Sequence, residues 1–155
     1  MSELTIGDTA PEFELEGDGG TKISMAALKG SPVVIYFYPK DDTPGCTKEA
    51  IAFSGLEPEF AKLGAKIIGI SPDTAAKHDK FKAKHNLTVR LAADPEKAVC
   101  EAFGVWVEKS MYGRKYMGVE RSTFLVDAEG KIARIWPKVK VAGHAEAVLD
   151  AVKAL

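Results

Sequence analysis

The chain has 155 residues, a formal net charge of −1 and a hydrophobic content of 46%, values that are typical of one folded domain. Nucleic acid and anionic membrane surfaces attract proteins with a basic excess, so the balanced charge argues against either as the main partner. Apolar runs reach only about eight residues, whereas a helix needs ~20 apolar residues to cross a bilayer. The N-terminal segment lacks the apolar region of a signal peptide. We therefore expect a single domain over residues 1–155 that works in the cytoplasm.

The low cysteine content narrows the possible chemistry further. Two cysteines exclude a disulfide-stapled scaffold and a four-thiolate metal site. The three histidines, His78, His85 and His144, lack a carboxylate or thiol partner at metal-ligand spacing. We therefore expect neither a metal nor another cofactor.

The first half of the chain is predicted to contain four strands. Residues 12–16 and 22–24 are short strands on either side of a glycine-rich turn. Residues 32–38 form a continuous apolar run rich in β-branched and aromatic side chains, which is typical of a strand buried on both faces. Residues 66–71 predict a second central strand.

Between these two central strands the sequence predicts a helix over residues 44–63. Thr43 supplies a capping hydroxyl, and Pro44 occupies the first helical position, where no amide hydrogen is needed. Gly55 and Pro58 are expected to bend or break this helix before it resumes.

The second half of the chain continues the alternation of helices and strands. A polar helix is predicted over 74–86, a short strand over 90–92, and a helix capped by Asp94 and Pro95 that runs to about residue 103. The remaining elements are a projecting hairpin over 106–118, a strand pair at 122–126 and 131–136, and a closing helix after Gly143. This order predicts an α/β protein with a thioredoxin-like fold, in which a central mixed sheet is flanked by helices and extended by an N-terminal β-hairpin.

Cys46 is the third residue of the helix that follows the first central strand. The amide hydrogens of a first helical turn lack carbonyl partners, and the helix dipole is positive there, so both favour a thiolate over a thiol. Gly45 lets a ligand approach the backbone closely. A free cysteine on a helix is most often only a small buried residue, but this strand–loop–helix context favours a reactive thiol at the carboxyl end of the sheet.

Residues 39–46 read Pro-Lys-Asp-Asp-Thr-Pro-Gly-Cys, and this segment resembles the signature of the peroxiredoxin family. The signature places a proline at position 39, a threonine at 43 and the peroxidatic cysteine at 46. Arg121, just before Ser-Thr-Phe, stands where that family keeps its second active-site cation. Stretches 37–47 and 103–109 resemble the bacterioferritin-comigratory, or peroxiredoxin Q, branch, and the similarity runs from about residue 4 to the C-terminus.

The resemblance implies a peroxidase that acts on hydrogen peroxide and organic hydroperoxides. The Cys46 thiolate would attack one peroxide oxygen and become a sulfenic acid, while the other oxygen leaves as water or alcohol. Arg121, the Thr43 hydroxyl and the amides of Gly45 and Cys46 are the candidate donors for the negative charge of the transition state. Pro39 would close the pocket and shield the thiolate from water. The branch is often monomeric, so we expect a monomer.

The chain departs from the resemblance where a second, resolving thiol is expected. Relatives place that cysteine five residues after the first, which is Ile51 here, or in the following helix, at a position that aligns best with Lys82. The one remaining thiol, Cys100, is more plausibly a structural residue, although a resolving role stays open. We therefore expect a one-cysteine enzyme whose Cys46 sulfenic acid is reduced by thioredoxin, glutaredoxin or glutathione.

Two other functions remain possible at this stage. A thioredoxin-like disulfide reductase needs a Cys-x-x-Cys pair, but Thr43 occupies the place of its first cysteine. A redox-sensing or chaperone-like module would use oxidation of Cys46 to alter a binding surface. Such a sensor would stop after about one equivalent of peroxide, whereas an enzyme would turn over many.

Overall fold

A computed structural model describes residues 4–155 as strands and helices that alternate along the chain. The strands are β1 (Glu14–Gly17), β2 (Lys22–Ser24), β3 (Val33–Phe37), β4 (Lys66–Ser71), β5 (Arg90–Ala93), β6 (Trp106–Met111), β7 (Arg114–Val119), β8 (Ser122–Val126) and β9 (Ile132–Trp136). The helices are α1 (Met25–Leu28), α2 (Pro44–Lys62), α3 (Ala75–His85), α4 (Ala98–Ala102) and α5 (His144–Lys153).

Seven strands form one mixed sheet in the order β2-β1-β5-β4-β3-β8-β9. Strands β3, β4 and β5 run parallel, while β8 pairs antiparallel with β3 on the other side. Strands β1 and β2 form the N-terminal hairpin, which extends the sheet antiparallel to β5. The structure confirms the predicted central mixed sheet, its flanking helices and its N-terminal extension.

Strand β3 is buried on both faces, as its apolar sequence predicts. Val34 and Tyr36 point into a core that α2 and α5 cover, whereas Ile35 and Phe37 point into a second core on the opposite face. Because side chains alternate along a strand, this one segment anchors both cores. Complete burial of each such side chain contributes about 1.5–3 kcal/mol.

Helix α2 is continuous, so the predicted break at Gly55 and Pro58 is wrong, whereas the alternative of a bend there stays a prediction. Pro58 removes one helical hydrogen bond and leaves the carbonyl of Ser54 without its usual partner. The hydroxyl of Thr88 lies 3.4 Å from that carbonyl oxygen and donates to it. Phe60, fully buried one turn further on, keeps the end of the helix packed against the core.

Helix α4 begins at Ala98, so the prediction that Asp94 and Pro95 cap it directly is also wrong. The intervening residues form a turn in which Lys97 has a left-handed backbone, with φ of 64°. Asp94 reaches past this turn and accepts a hydrogen bond from the amide of Cys100, at 2.8 Å. Asp94 therefore stabilises the first turn of α4 from a position four residues before the helix, rather than as its N-cap residue.

Strands β6 and β7 form a separate two-stranded sheet, as the sequence predicts. Tyr112 and Gly113 connect them, and both have positive φ, which matches the twist of a tight hairpin. Helix α1 is a short turn that the sequence reading missed, and the Ser24 hydroxyl caps it by accepting from the amide of Ala27. No helix within residues 4–155 has the length and apolarity needed to cross a membrane.

Candidate active site

The fold places Cys46 at the carboxyl end of β3, at the start of α2. An active-site loop, defined here as residues 38–43, links the two elements. The amide of Thr47 donates to the carbonyl of Thr43 at 2.8 Å, so the amides of Gly45 and Cys46 precede the first helical hydrogen bond. The Cys46 thiol is only 2% exposed, and these amides and the helix dipole favour negative charge on its sulfur.

Arg121 approaches this thiol from the neighbouring strand. Ser122, the first residue of β8, pairs with Phe37, the last residue of β3, so Arg121 lies at the same end of the sheet as the start of α2. Its Nη2 donates to the Sγ of Cys46 at 3.3 Å. Its own carbonyl accepts from the amide of Val139 at 2.8 Å, which fixes the backbone that carries the guanidinium.

Glu49 completes this group, although the sequence reading did not identify it. Its Oε1 accepts from Nη1 of Arg121 at 2.7 Å, so the two ends of the guanidinium contact the carboxylate and the sulfur. Burial raises the pKa of Glu49 to about 7, although the charge and hydrogen bond of Arg121 oppose this shift. Glu49 lies three residues after Cys46, which places both side chains on one face of the helix. This spacing is a sequence signal that could have identified Glu49.

The charge on Arg121 is stabilised by its two neighbours. Burial alone would lower the pKa of the guanidinium, but the negative charges of Glu49 and Cys46 outweigh burial, and the pKa is raised. A permanently charged, fork-shaped donor therefore faces the sulfur.

Three further predicted residues belong to the active-site loop and the helix start that carry the thiol. Thr43 occupies the N-cap position, but its hydroxyl donates to the carbonyl of Lys40 at 2.9 Å rather than capping a first-turn amide of α2, which corrects the predicted capping role. Pro39 is half-buried in the active-site loop. A methyl group on Gly45 would lie 3.1 Å from Nη2 of Arg121, so the missing side chain leaves room for the guanidinium.

The β6–β7 hairpin adds a second cation near the site. Lys109 is half-buried, and its aliphatic chain packs over Gly118 of the opposite strand. Burial lowers the pKa of the Lys109 ammonium, and the nearby charge of Arg121 lowers it further. The hairpin therefore extends the positive potential around Cys46.

Cys100 lies in a different core from this arrangement. Cys46 belongs to the core beneath α2 and α5, whereas Cys100 belongs to the core on the opposite face of the sheet. Burial raises the pKa of the Cys100 thiol, and the charge of Asp94 beside it acts in the same direction. The geometry therefore brings Cys46, Arg121 and Glu49 together and leaves Cys100 outside the site.

Comparisons with known proteins agree with this geometry. The model of the AhpC/TSA family matches residues 6–135. The chain is 52% identical over 156 residues to the peroxiredoxin Bcp of Xanthomonas campestris, covering 99% of this chain and 98% of the relative. It is 50% identical over 150 residues to the peroxiredoxin Bcp of Bacillus subtilis, covering 97% of this chain and 96% of that relative.

Solved structures are similar over most of the chain. A structure of the Xanthomonas campestris bacterioferritin comigratory protein, described for its alkyl peroxide reduction activity, matches with a TM-score of 0.88 and 51% identity, covering 92% of this chain and 90% of that one. A cysteine-to-serine mutant of Xylella fastidiosa peroxiredoxin Q matches with a TM-score of 0.94 and 40% identity, covering 99% of this chain and 98% of that one. The chain therefore belongs to the AhpC/TSA family and, within it, to the Bcp or peroxiredoxin Q branch of the peroxiredoxins, which are thiol-dependent peroxidases.

Proposed function

We propose that this peroxiredoxin reduces hydrogen peroxide and organic hydroperoxides through a sulfenic acid on Cys46. The Cys46 thiolate attacks one peroxide oxygen, the O–O bond breaks, and sulfur is oxidised to the sulfenic acid. The departing oxygen takes a proton and leaves as water or an alcohol. The observation that carries this proposal is the 3.3 Å contact between Nη2 of Arg121 and the sulfur at the helix start.

The surrounding groups match the charge that develops in this step. Arg121 donates to the sulfur, and the amides of Gly45 and Cys46 at the helix start are the further candidate donors for the negative charge that spreads over the peroxide oxygens. The Thr43 hydroxyl lies at the same helix start and could exchange its bond to Lys40 for one to the substrate. Pro39, half-buried in the active-site loop, would restrict the access of water.

We further propose that the sulfenic acid is resolved by an external thiol. Ile51 and Lys82 occupy the two positions where the family resemblance places a resolving cysteine. The Lys82 ammonium lies 2.7 Å from a carboxylate oxygen of Asp18, which gives that position a structural contact of its own. Cys100 faces the opposite core, whereas a disulfide needs α-carbons within ~7 Å.

An external thiol then completes the cycle in two exchanges. The thiol attacks the Cys46 sulfenic acid and forms a mixed disulfide with release of water, and a second thiol attacks that disulfide and frees Cys46. Thioredoxin, glutaredoxin and glutathione are the candidate donors, and a reducing cytoplasm would supply any of them. In this scheme the chain acts as a monomer.

Peroxide consumption with each donor tests the proposal. The wild-type protein and Cys100→Ser should turn over many equivalents of hydrogen peroxide with at least one donor, while Cys46→Ser should be inactive. Turnover that stops after one equivalent with all three donors would indicate a redox sensor instead. Retained activity in Cys46→Ser would refute the proposed site.

Intact mass spectrometry after one equivalent of peroxide tests the resolving step. A gain of one oxygen on the monomer, lost on addition of the thiol donor, is the expected result. Loss of two hydrogens from the wild-type monomer, but not from Cys100→Ser, would make Cys100 the resolving thiol. A covalent dimer would contradict the monomeric scheme.

A further inference from the structure

A fully buried histidine connects the active-site loop with two other elements of the fold. His78 of α3 is 0% exposed. Its Nδ1 lies 2.7 Å from Oδ2 of Asp41, and its Nε2 lies 3.0 Å from the carbonyl oxygen of Ala92 in β5. The chemistry proposed for Cys46 does not involve this residue.

The partners of His78 restrict its protonation. A carbonyl oxygen only accepts hydrogen bonds, so the Nε2 facing Ala92 carries a proton. The second ring nitrogen faces a carboxylate, so one further proton lies between Nδ1 and Asp41, on one or the other. Either way, both ring nitrogens are hydrogen-bonded within the fold, and the hydroxyl of Tyr38 lies 3.4 Å from Nδ1 as well.

Asp41 is held from its other sides as well. The hydroxyl of Tyr38 donates to Oδ1 of Asp41 at 2.6 Å. The backbone amide of Asp41 donates to Oδ2 of Asp73 at 2.7 Å, and Ser71 donates to that same oxygen. The aspartate is therefore a buried anchor whose side chain and backbone are both fixed.

The anchor is close in sequence to Pro39 and Thr43, to which the proposed function gives roles at the thiol. Asp41 is two residues from Pro39 and two residues from Thr43, so a displacement of Asp41 moves both. A shift of about 1 Å in groups that orient a substrate can lower a reaction rate about 100-fold. We propose that His78 is a positioning residue: through Asp41 it holds the active-site loop in the shape that peroxide attack on Cys46 requires. This inference rests on the proposed function and extends it beyond the residues that contact the thiol.

A second connection between the same loop and helix is exposed. Lys84 and His85 contact the two carboxylate oxygens of Asp42 at 2.7 and 2.8 Å. Exposed ion pairs are weakened by solvent and by salt. The buried contact of His78 is therefore the one expected to determine the position of the loop, and Lys84→Ala, which weakens only the exposed connection, should change the peroxide rate less than about twofold.

Two amide substitutions separate the two contacts of His78. The side-chain nitrogen of Asn lies near the position of Nδ1, so His78→Asn can still donate to Asp41 but loses the contact with Ala92. The side-chain nitrogen of Gln lies near the position of Nε2, so His78→Gln keeps the contact with Ala92 and loses the one with Asp41. Each variant lacks one buried hydrogen bond, and the bond to the Asp41 carboxylate is expected to contribute more to stability than the bond to the Ala92 carbonyl, so the free energy of unfolding of both variants is measured beside their rates.

The measurement compares two reactions of Cys46 in the folded proteins. We expect His78→Gln to react with hydrogen peroxide at least about tenfold more slowly than the wild type, and His78→Asn to stay within about threefold of it. Alkylation of Cys46 by iodoacetamide, which needs no peroxide pocket, should not fall by more than about twofold in either variant, because a displaced loop exposes the buried thiol. Any other ranking of the two variants, or a parallel loss of both reactions, would overturn the inference and leave His78 with a structural role only.

Tyr38→Phe covers the case in which neither His78 variant folds. This change removes the hydroxyl that donates to Asp41 and lies 3.4 Å from Nδ1 of His78, and we expect a peroxide rate at least about threefold lower with no loss of alkylation. An unchanged peroxide rate would overturn the inference. A wild type that fails to react with hydrogen peroxide would contradict the proposed function, and the inference with it. A reactive wild type whose variants react equally fast would contradict the inference alone.

Discussion

Gly45 faces the guanidinium of Arg121 at the start of α2. A methyl group built on Gly45 would lie 3.1 Å from Nη2 of Arg121, which is closer than nearly all contacts of real Cβ atoms. The same Nη2 is the atom that donates to the sulfur of Cys46. The missing side chain at position 45 therefore determines how closely the guanidinium approaches the thiol.

Gly45→Ala should slow the peroxide reaction without unfolding the protein. The new methyl group displaces the guanidinium by a few tenths of an ångström, and we expect a rate constant about tenfold lower. Gly55→Ala is the matched control, because it lies in the same helix with open space around its Cα. That control should raise the free energy of unfolding by about 0.5–1 kcal/mol and leave the rate unchanged. Equal rates in Gly45→Ala and the wild type would show that Arg121 is not confined at this position.

Arg121→Lys should lower the peroxide rate constant by about 10- to 100-fold. An ammonium is a single point of charge and cannot contact Cys46 and Glu49 with two separately directed nitrogens. Stopped-flow measurement of Cys46 oxidation would show this loss. Arg134→Lys, an exposed arginine that stacks on Trp136, provides the control and should stay within about twofold of the wild type. A fully active Arg121→Lys protein would mean that positive charge alone is sufficient.

The regular elements of the fold could be predicted because their signals are local. The apolar run that becomes β3 and the Tyr112–Gly113 turn each depend on a few neighbouring residues. The continuity of α2 could not be predicted, since it involves a contact between Ser54 and a threonine 34 residues later. Local rules for proline do not include such a tertiary partner.

The candidate site likewise contains residues that could be predicted from the sequence and residues that could not. The helix start predicts a reactive Cys46, the family resemblance adds Arg121, and the structure places the two in contact. The buried contact between Asp41 and His78 joins residues 37 positions apart, and neither residue type indicates a partner by itself. Glu49 looks like an ordinary exposed helical carboxylate until the fold shows that it is buried beneath the guanidinium.

Glu49→Gln should change how the stability of the protein depends on pH. The pKa of Glu49 is raised from 4.5 to about 7, so between these values the folded protein holds a proton that the unfolded chain releases. This contribution to stability is fully present below about pH 4.5 and is lost as the pH rises through 7. The wild type should therefore lose up to about 3 kcal/mol relative to Glu49→Gln between pH 4.5 and 8.

Chemical denaturation of the wild type and of Glu49→Gln between pH 4.5 and 8 measures the difference between their free energies of unfolding. Burial lowers the pKa of His144 to about 4, so its contribution has the opposite sign and disappears as the pH falls below about 6.5. Both proteins contain His144, and its effect cancels when their unfolding free energies are subtracted. A difference that stays constant with pH would show that Arg121 keeps Glu49 ionised throughout.

Ile51→Cys should give the chain a resolving thiol of its own. Ile51 is 48% exposed and lies five residues after Cys46 in α2. The two α-carbons are therefore about 7.5 Å apart along the helix axis, which is more than the ~7 Å that a disulfide spans. The first turn of a helix has few internal hydrogen bonds and opens at low cost. After one equivalent of peroxide we therefore expect a fast gain of one oxygen, followed by a slower loss of water that leaves the monomer two hydrogens lighter.

Ala61→Cys is the matched control for this experiment, since it places an exposed thiol on the same helix but about 22 Å from Cys46 along the axis. That variant should keep the added oxygen, because opening one turn does not bring its thiol to Cys46. With Ile51→Cys, the peroxidase should also need less external thiol to sustain turnover at low donor concentration. A stable sulfenic acid in Ile51→Cys would mean instead that the contacts of Arg121 and the active-site loop keep the start of α2 closed even after Cys46 is oxidised.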